Sequence, residues 1–496
     1  MNSFIKGLKE LNNYTYTENN ALSLKSTLDA VYDLFALGAA YRQRSEEDVI
    51  ILFKKAYREN AELAMKCLFY IRDAREGQGE RRFFRVCMNW LAKSNDREAA
   101  KRNLQYVSEF GRWDDLYCFV DTPLQNDALE IMRQQIALDM SCKTPSLLAK
   151  WLKSINTSSA ESRRLANITR EYFGMTHKQY RRILSILRER INVLEKLMSA
   201  GEWEKIEFDK IPSRAGLIYR NAFARRDILR ERYEKFMMDK NTKVNAKVLY
   251  PYECVKSALD YIKHKNYGLG SDKLDRAAIN KYWDSLRDYF DGAAFNGMAL
   301  VDTSDSMTIK YNSIAPINIS IALGLYCAEK CSGPYAGHFI TFESNPHFIE
   351  VEGKDFVEKV ENIINAPWGN STNLEKAFDL MLETAIRNNL SQEDIPKNLI
   401  IISDMQIDAC AEDFDNNHIT SMSIIRKKWK EYGYEMPKLV YWNVNARQDT
   451  ILDDAKSNIT YVSGSSPVIY EMIMQGKNGI QMMYEKLNSE RYSCIY

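Results

Sequence analysis

Histidine is scarce in this chain of 496 residues. The five are His177, His264, His338, His347 and His418. None falls in an H-E-x-x-H or comparable frame, which excludes the common helical zinc sites. His338 and His347 sit in or beside strand-like segments, where core packing is the simpler role. The nine cysteines are scattered, with no CxxC knuckle. Cys327 and Cys331 lie four apart in an apolar helical stretch, a packing pattern, so reduced thiols in a cytoplasmic protein are expected. There is no Walker A loop, no G-x-S-x-G elbow and no dinucleotide fingerprint. The G-x-G within YGLGSD (267–272) has no strand before it and reads as a loop. No run of about 18 apolar residues is present, which argues against a membrane-spanning helix. The opening MNSFIKGLKELNNYTYTENN lacks the apolar core and cleavage site of a secretory signal. Proline (11) and glycine (21) are sparse and fall between segments, as in GQG (77–79), FG (173–174) and IPS (211–213).

What is present is ordinary in bulk and uneven in distribution. Hydrophobic residues make up 45% and charged residues 27%, as in soluble globular proteins, and the length implies at least two domains. The net charge of +1 hides a split. Residues 1–290 carry 51 Lys and Arg against 39 Asp and Glu, whereas 291–496 carry 17 against 28. A basic half beside an acidic half suggests a polyanion as partner for the first and a cation for the second. Basic residues spread over solvated helix faces would give the same count.

From about 20 to 290 the apolar spacing is helical almost throughout, as in EEDVIILFKKAYRENAELAMKCLFYIRDAR and HKQYRRILSILRERINVLEKLMSA. Many helices of about 12–20 residues with short loops predict stacked helix pairs, an irregular HEAT-like solenoid, with a compact bundle as the alternative. Near 291 the pattern changes. Strands are predicted in MALVD, GHFITFES (337–344), HFIEVEG (347–353), NLIIISDM (398–405), KLVYWNVN (438–445) and ITYVSGS (459–465). Helical stretches separate them: INISIALGLYCAEK, TNLEKAFDLMLETAIRNN and HITSMSIIRKKWKEYG. Apolar strands alternating with amphipathic helices predict a doubly wound, mostly parallel α/β sheet. The two domains are therefore 1–290 and 291–496. Ligands of such sheets collect at the carboxyl ends of the strands.

Asp302, Ser304 and Ser306 form D-x-S-x-S directly after the first of these strands. Thr372 lies in GNSTNLEKAFD, a loop opening a helix, and Asp404 ends NLIIIS. Two carboxylates and three hydroxyls are hard oxygen donors suited to Mg²⁺, or Mn²⁺ or Ca²⁺, and not to zinc. Taken alone, D-x-S-x-S reads more readily as a helix N-cap. The order strand–DTSDS, NST before a helix, strand–SD is the more restrictive pattern.

That order resembles the von Willebrand factor A domain, whose metal-ion-dependent adhesion site is matched by Asp302, Ser304, Ser306, Thr372 and Asp404. In that family a partner's carboxylate often completes the metal's shell. Met405 stands where many members have glycine, and Asp408 lies nearby, either behind the ligands or as an exposed loop acid. FYIRDAREGQGERRFFR (69–85), FGRWDDLY (110–117), SLLAKWLKS (146–154) and FDKIPSRAGLIYRNAFARRD (208–227) resemble the TROVE/Ro ribonucleoprotein family. KLVYWNVNAR and YVSGSSPVIYEMI resemble its Ro-like branch. The resemblance spans roughly 25–475. It implies a ring of HEAT-like repeats closed by the A-type domain, with a basic surface for small structured RNA and a hole for single-stranded ends.

Residues that would serve such a surface are Arg72, Arg75, Arg81 and Arg82 around the GQG turn, Lys150 and Lys153, and Arg181, Arg182 and Arg188. Phe83, Phe84, Trp113 and Trp151 are candidates for base stacking. Plainer roles compete with each: RWDD as a structural Arg–Asp network, the aromatics as core, Arg72 and Arg75 as partners of Asp73, Glu76 or Glu80. One hydroxyl-rich cation without an adjacent base favours a non-enzymatic binding scaffold over a metal-dependent nuclease. A protein–protein adaptor without RNA is the other alternative.

Overall fold

Serine, asparagine and threonine set the helix starts of the first half. Ser45, Asn60, Ser159 and Thr176 each accept a backbone N–H of the first turn, opening Glu46–Glu59, Ala61–Arg72, Ala160–Tyr172 and His177–Arg190. The computed structural model describes residues 3–191, 193–267, 272–309, 315–342, 345–366, 372–409, 420–453 and 459–496. Within them, helices follow one another from Ala30 to Asp284. The GQG turn joins the helices Ala61–Arg72 and Arg81–Lys93. Gly79 there has φ +66°, and a β-carbon would strike the Tyr250 hydroxyl. Tyr250 opens the helix Pro251–Asn266, so an early and a late part of the helical run touch directly.

The centre of this half is ionic as well as apolar. Asp115 is fully buried. Its Oδ2 accepts from Arg72 Nε at 2.8 Å and from the Arg112 backbone N–H at 2.8 Å, and its Oδ1 accepts from Arg85 Nε at 2.7 Å. Arg112 and Arg85 also hold Asp114. Phe69, Phe84 and Phe110 pack edge to face beside this network. The RWDD segment is thus a structural network. Phe83 and Phe84 are core residues, sealed from any base.

Eight strands occur among the described residues. β1 (Tyr14–Tyr16) and β2 (Leu22–Leu24) form a small antiparallel hairpin. β3 (Gly297–Asp302), β4 (His338–Phe342), β5 (Phe348–Glu350), β6 (Asn398–Ser403), β7 (Lys438–Asn443) and β8 (Ile459–Ser463) form one sheet in the order β5-β4-β3-β6-β7-β8. Every pairing is parallel except β4–β5 at the edge. β3 and β6 are buried almost throughout, as their unbroken apolar sequences require. This is the α/β half that the alternating strands and helices predict, beside a mostly helical half.

The termini cross the boundary near 290. β2 meets Ile451 of the sheet half, and Tyr32 in the helix Ala30–Leu37 donates to the carbonyl and accepts from the N–H of Tyr461 in β8. In return, Arg491 and Tyr492 bind Asp73, and Tyr492 stacks on Phe110. Each half therefore carries a piece of the other's surface. No described helix is long and apolar enough to cross a membrane.

Removing one partner of a buried ion pair strands the other charge, which costs about 3–5 kcal/mol. Asp115→Ala is expected to lower the unfolding free energy by that amount in a urea titration. A loss under about 1 kcal/mol would show the network to be dispensable.

Candidate functional site

The register of β3 on β6 brings two acids to one rim. Val301 pairs with Ile402, so Asp302 and Asp404 leave adjacent parallel strands at their carboxyl ends. Both are buried. Asp302 Oδ1 accepts from the Ser304 N–H at 3.0 Å, and Oδ2 accepts from Ser403 Oγ at 2.5 Å. Ser304 occupies the N-cap position of a short turn over 305–308, yet its hydroxyl caps nothing. It lies 3.1 Å from Ser306 Oγ instead. Ser306 in turn lies close enough to Asp404 to lower its pKa, against the larger effect of burial. Asp302, Ser304, Ser306 and Asp404 are thereby one cluster.

Thr372 is buried and precedes the helix Leu374–Arg387. Its N–H donates to Asp408 Oδ2 at 3.0 Å, and its carbonyl accepts the Asp408 N–H at 3.0 Å. Asp408 raises the pKa of Asp302 through its charge. It is therefore the clasp between the Thr372 loop and the Asp404 loop. Met405 adopts φ +65°, the left-handed conformation that glycine supplies freely and other residues enter at roughly 1–2 kcal/mol.

The electrostatics describe a site short of positive charge. Burial is the main cause that pushes Asp302 up to about 6. Burial first and the Asp302 charge second push Asp404 to about 7. Asp404 Oδ2 has no hydrogen-bond partner, and neither do Thr303 Oγ1, Gln406 Nε2 or Asn443 Nδ2 around it. Buried polar atoms left unpaired on this scale suit a bound polar group. Two carboxylates with serine and threonine hydroxyls fit a hard divalent ion. Asp302, Ser304, Ser306, Thr372 and Asp404 are the residues that would hold it. Among the described residues no cluster of three or more His, Cys, Asp or Glu gathers.

The basic residues divide into two kinds. Arg72, 2% exposed and bound to Asp115 at 2.6 Å, is a structural residue that no phosphate reaches. This corrects its assignment to an RNA surface. Arg188 spends its guanidinium on the carbonyls of Ala149 and Leu152 and on Ser154 Oγ. Arg75 is exposed and donates to the Glu109 carbonyl. Arg181 and Arg182 are exposed on their helix, and Arg82 keeps one buried nitrogen unbonded. Arg81, Lys150 and Lys153 lie near Arg112, which the sequence marked only as part of the RWDD network. Arg112 lies 3.8 Å over the half-buried Trp151 ring, Lys150 5.9 Å from the same ring, and Lys153 5.6 Å from the Tyr117 ring.

Sequence reasoning also missed Ser403, Gln406, Arg447 and Glu18. Ser403 was readable as the polar end of an apolar strand. Arg447 and Glu18 carried no signal, because their roles depend on contacts across the whole chain.

Two family models match the chain: a domain of unknown function, DUF2828, over residues 17–145 and 139–290, and another, DUF7788, over 296–493. The chain belongs to the DUF2828 family. Its sheet-bearing C-terminal part is matched by the second model. Uncharacterized protein L728 of Acanthamoeba polyphaga mimivirus is 31% identical, over 94% of this chain and 85% of that protein. The crystal structure of the Deinococcus radiodurans RO (RSR) protein superposes with a TM-score of 0.51 at 13% identity, covering 91% of this chain and all of that one. The chain thus has a Ro-like fold.

A carboxyl whose pKa is raised on folding keeps protons that the unfolded chain, near 3.8, has lost. Its contribution to stability is full below about pH 4 and disappears as pH rises through about 6 to 7. In chelator, the melting temperature of the wild type is expected to fall across that window more than that of Asp404→Asn. Millimolar Mg²⁺ is expected to remove the difference. Parallel pH profiles for the two proteins would count against the site.

Proposed function

We propose that this protein is a Ro-like RNA-binding scaffold, whose helical half grips structured or single-stranded RNA and whose sheet half holds Mg²⁺ for an acidic partner. The observation that carries the RNA reading is Arg81, half-buried at the start of its helix, whose Nε has no hydrogen-bond partner. Burial, and then the neighbouring guanidiniums of Arg112 and Arg85, pull its pKa down to about 10. A cation destabilised by other cations gains from an incoming phosphate, and the counterions so released drive binding. Trp151 lies half-buried beneath Arg112 at the same place, so a base that displaced the guanidinium would meet its ring. The +12 balance of residues 1–290 and the resemblance to the Ro family point the same way. The donor set at the sheet rim, with two carboxylates and three hydroxyls, supports ion-mediated capture of a carboxylate rather than hydrolysis.

A filter-binding titration with a small structured RNA, repeated from low to physiological salt, tests the reading. Affinity is expected to fall linearly on log–log axes. Arg81→Ala and Lys153→Ala are each expected to flatten the slope by about 1, while Asp404→Ala leaves RNA affinity unchanged. No binding at low salt, or affinity indifferent to salt, would favour an adaptor without RNA. RNA cut in Mg²⁺ and spared by chelator would favour a nuclease.

A further inference from the structure

The rim of the cation site is covered by a segment from the far end of the chain. Residues 17–20, the turn that joins β1 to β2, pack on 406–409, the stretch that follows Asp404 and Met405. Thr17 Oγ1 donates to the Ile407 carbonyl at 2.7 Å, and the Glu18 N–H donates to Gln406 Oε1 at 2.9 Å. Asn19 Nδ2 donates to the Gln406 carbonyl at 2.8 Å and to Asp408 Oδ1 at 2.7 Å. Asn20 and Asp408 form an isolated antiparallel bridge. The strap therefore holds both residues that organise the site loops: Gln406, whose N–H donates to Asp404 Oδ1, and Asp408, which clasps Thr372.

At its centre the strap places a charge. The Glu18 carboxylate is ion-paired with Arg447. Arg447 Nε lies 3.7 Å from Asp404 Oδ2, too far for a hydrogen bond, and neither of these buried atoms has another hydrogen-bond partner. Acid, base and acid thus form a row from the strap into the site. The single positive charge of Arg447 stands beside Asp404, where a divalent ion would bring two, and Glu18 stands where an outside carboxylate would approach.

We propose that residues 17–20 are a displaceable latch on the cation site, with Arg447 and Glu18 as internal stand-ins for the ion and for a partner's carboxylate. The inference rests on the cation-site reading. A divalent ion seated between Asp302 and Asp404 repels Arg447, which weakens its grip on Glu18 and loosens the strap. By the reciprocity of coupled equilibria, loosening the strap must tighten ion binding. The hydrogen bonds of Thr17 and Asn19 set how far the two are coupled. The latch also explains why an acidic residue is bound at the edge of an acidic site.

Mn²⁺ binding to the full chain, followed by electron paramagnetic resonance, and amide hydrogen exchange of residues 12–24 with and without Mn²⁺ test the latch. Mn²⁺ is expected to speed exchange in that segment. Arg447→Gln and Asn19→Ala are each expected to bind Mn²⁺ several-fold to tenfold more tightly than wild type. Asn19 is on the surface and is not among the ion's ligands, but it bonds Asp408, so tighter binding by that variant reports a loosened strap with the ligand set retained. Mn²⁺ bound by Arg447→Gln and not by wild type would be the strongest support. Equal affinities in all three proteins, with exchange unaltered by Mn²⁺, would overturn the latch while leaving the cation site intact. Binding by none of them, matching an Asp404→Ala control, would overturn both.

Discussion

Two aspartates side by side in a dry place are the constraint around which this molecule is arranged. Hydrogen bonding between β3 and β6 fixes Asp302 and Asp404 at neighbouring strand ends, and the helices on the sheet exclude water from both. An ionised carboxylate in such surroundings costs several kcal/mol unless it is compensated. Ser403, Ser306 and three backbone N–H groups, counting that of Met405 on Ser403 Oγ, take part of that cost. The remainder is left to a proton, to Arg447, or to an ion from solution. The loops around the rim follow from which of these is present.

The helical half solves a related problem in the opposite sense. There, guanidiniums are in excess, and buried Asp115 absorbs Arg72 and Arg85 while Asp114 absorbs Arg112 and Arg85. Arg81 is left over, at the start of its helix and near Arg112. A cation bound into this network and one left outside it thus sit within one short stretch, and burial separates them. The exchanged termini tie the two halves. Residues 17–24 lie on the sheet half, and residues 491–496 lie on the helices.

Much of this was legible in the chain. Unbroken apolar strands such as NLIIIS can only be central in a parallel sheet, and D-x-S-x-S after one of them falls at its carboxyl end by geometry alone. The helical run was legible from its spacing, and RWDD from its paired charges. The short strands β1 and β2 were not, because three-residue strands give no periodicity. Nor was the strap, since Glu18 and Arg447 are separated by most of the sequence. Arg72 was misread because it ends a helix beside a glycine turn, a place that is usually wet. Its burial comes from Asp115, forty-three residues away. Met405 shows the reverse case: the sequence marked it as unusual, and its left-handed backbone gives the reason.

The claim that everything at the rim turns on is that a hard ion belongs between Asp302 and Asp404. Crystals soaked in Mn²⁺ and measured for anomalous scattering test it directly. The account predicts one strong peak per chain, within about 2–2.5 Å of oxygens from Asp302, Ser304 and Ser306 and on the Asp404 side of the cluster. A map with no peak there, or with manganese only on surface carboxylates, would contradict it.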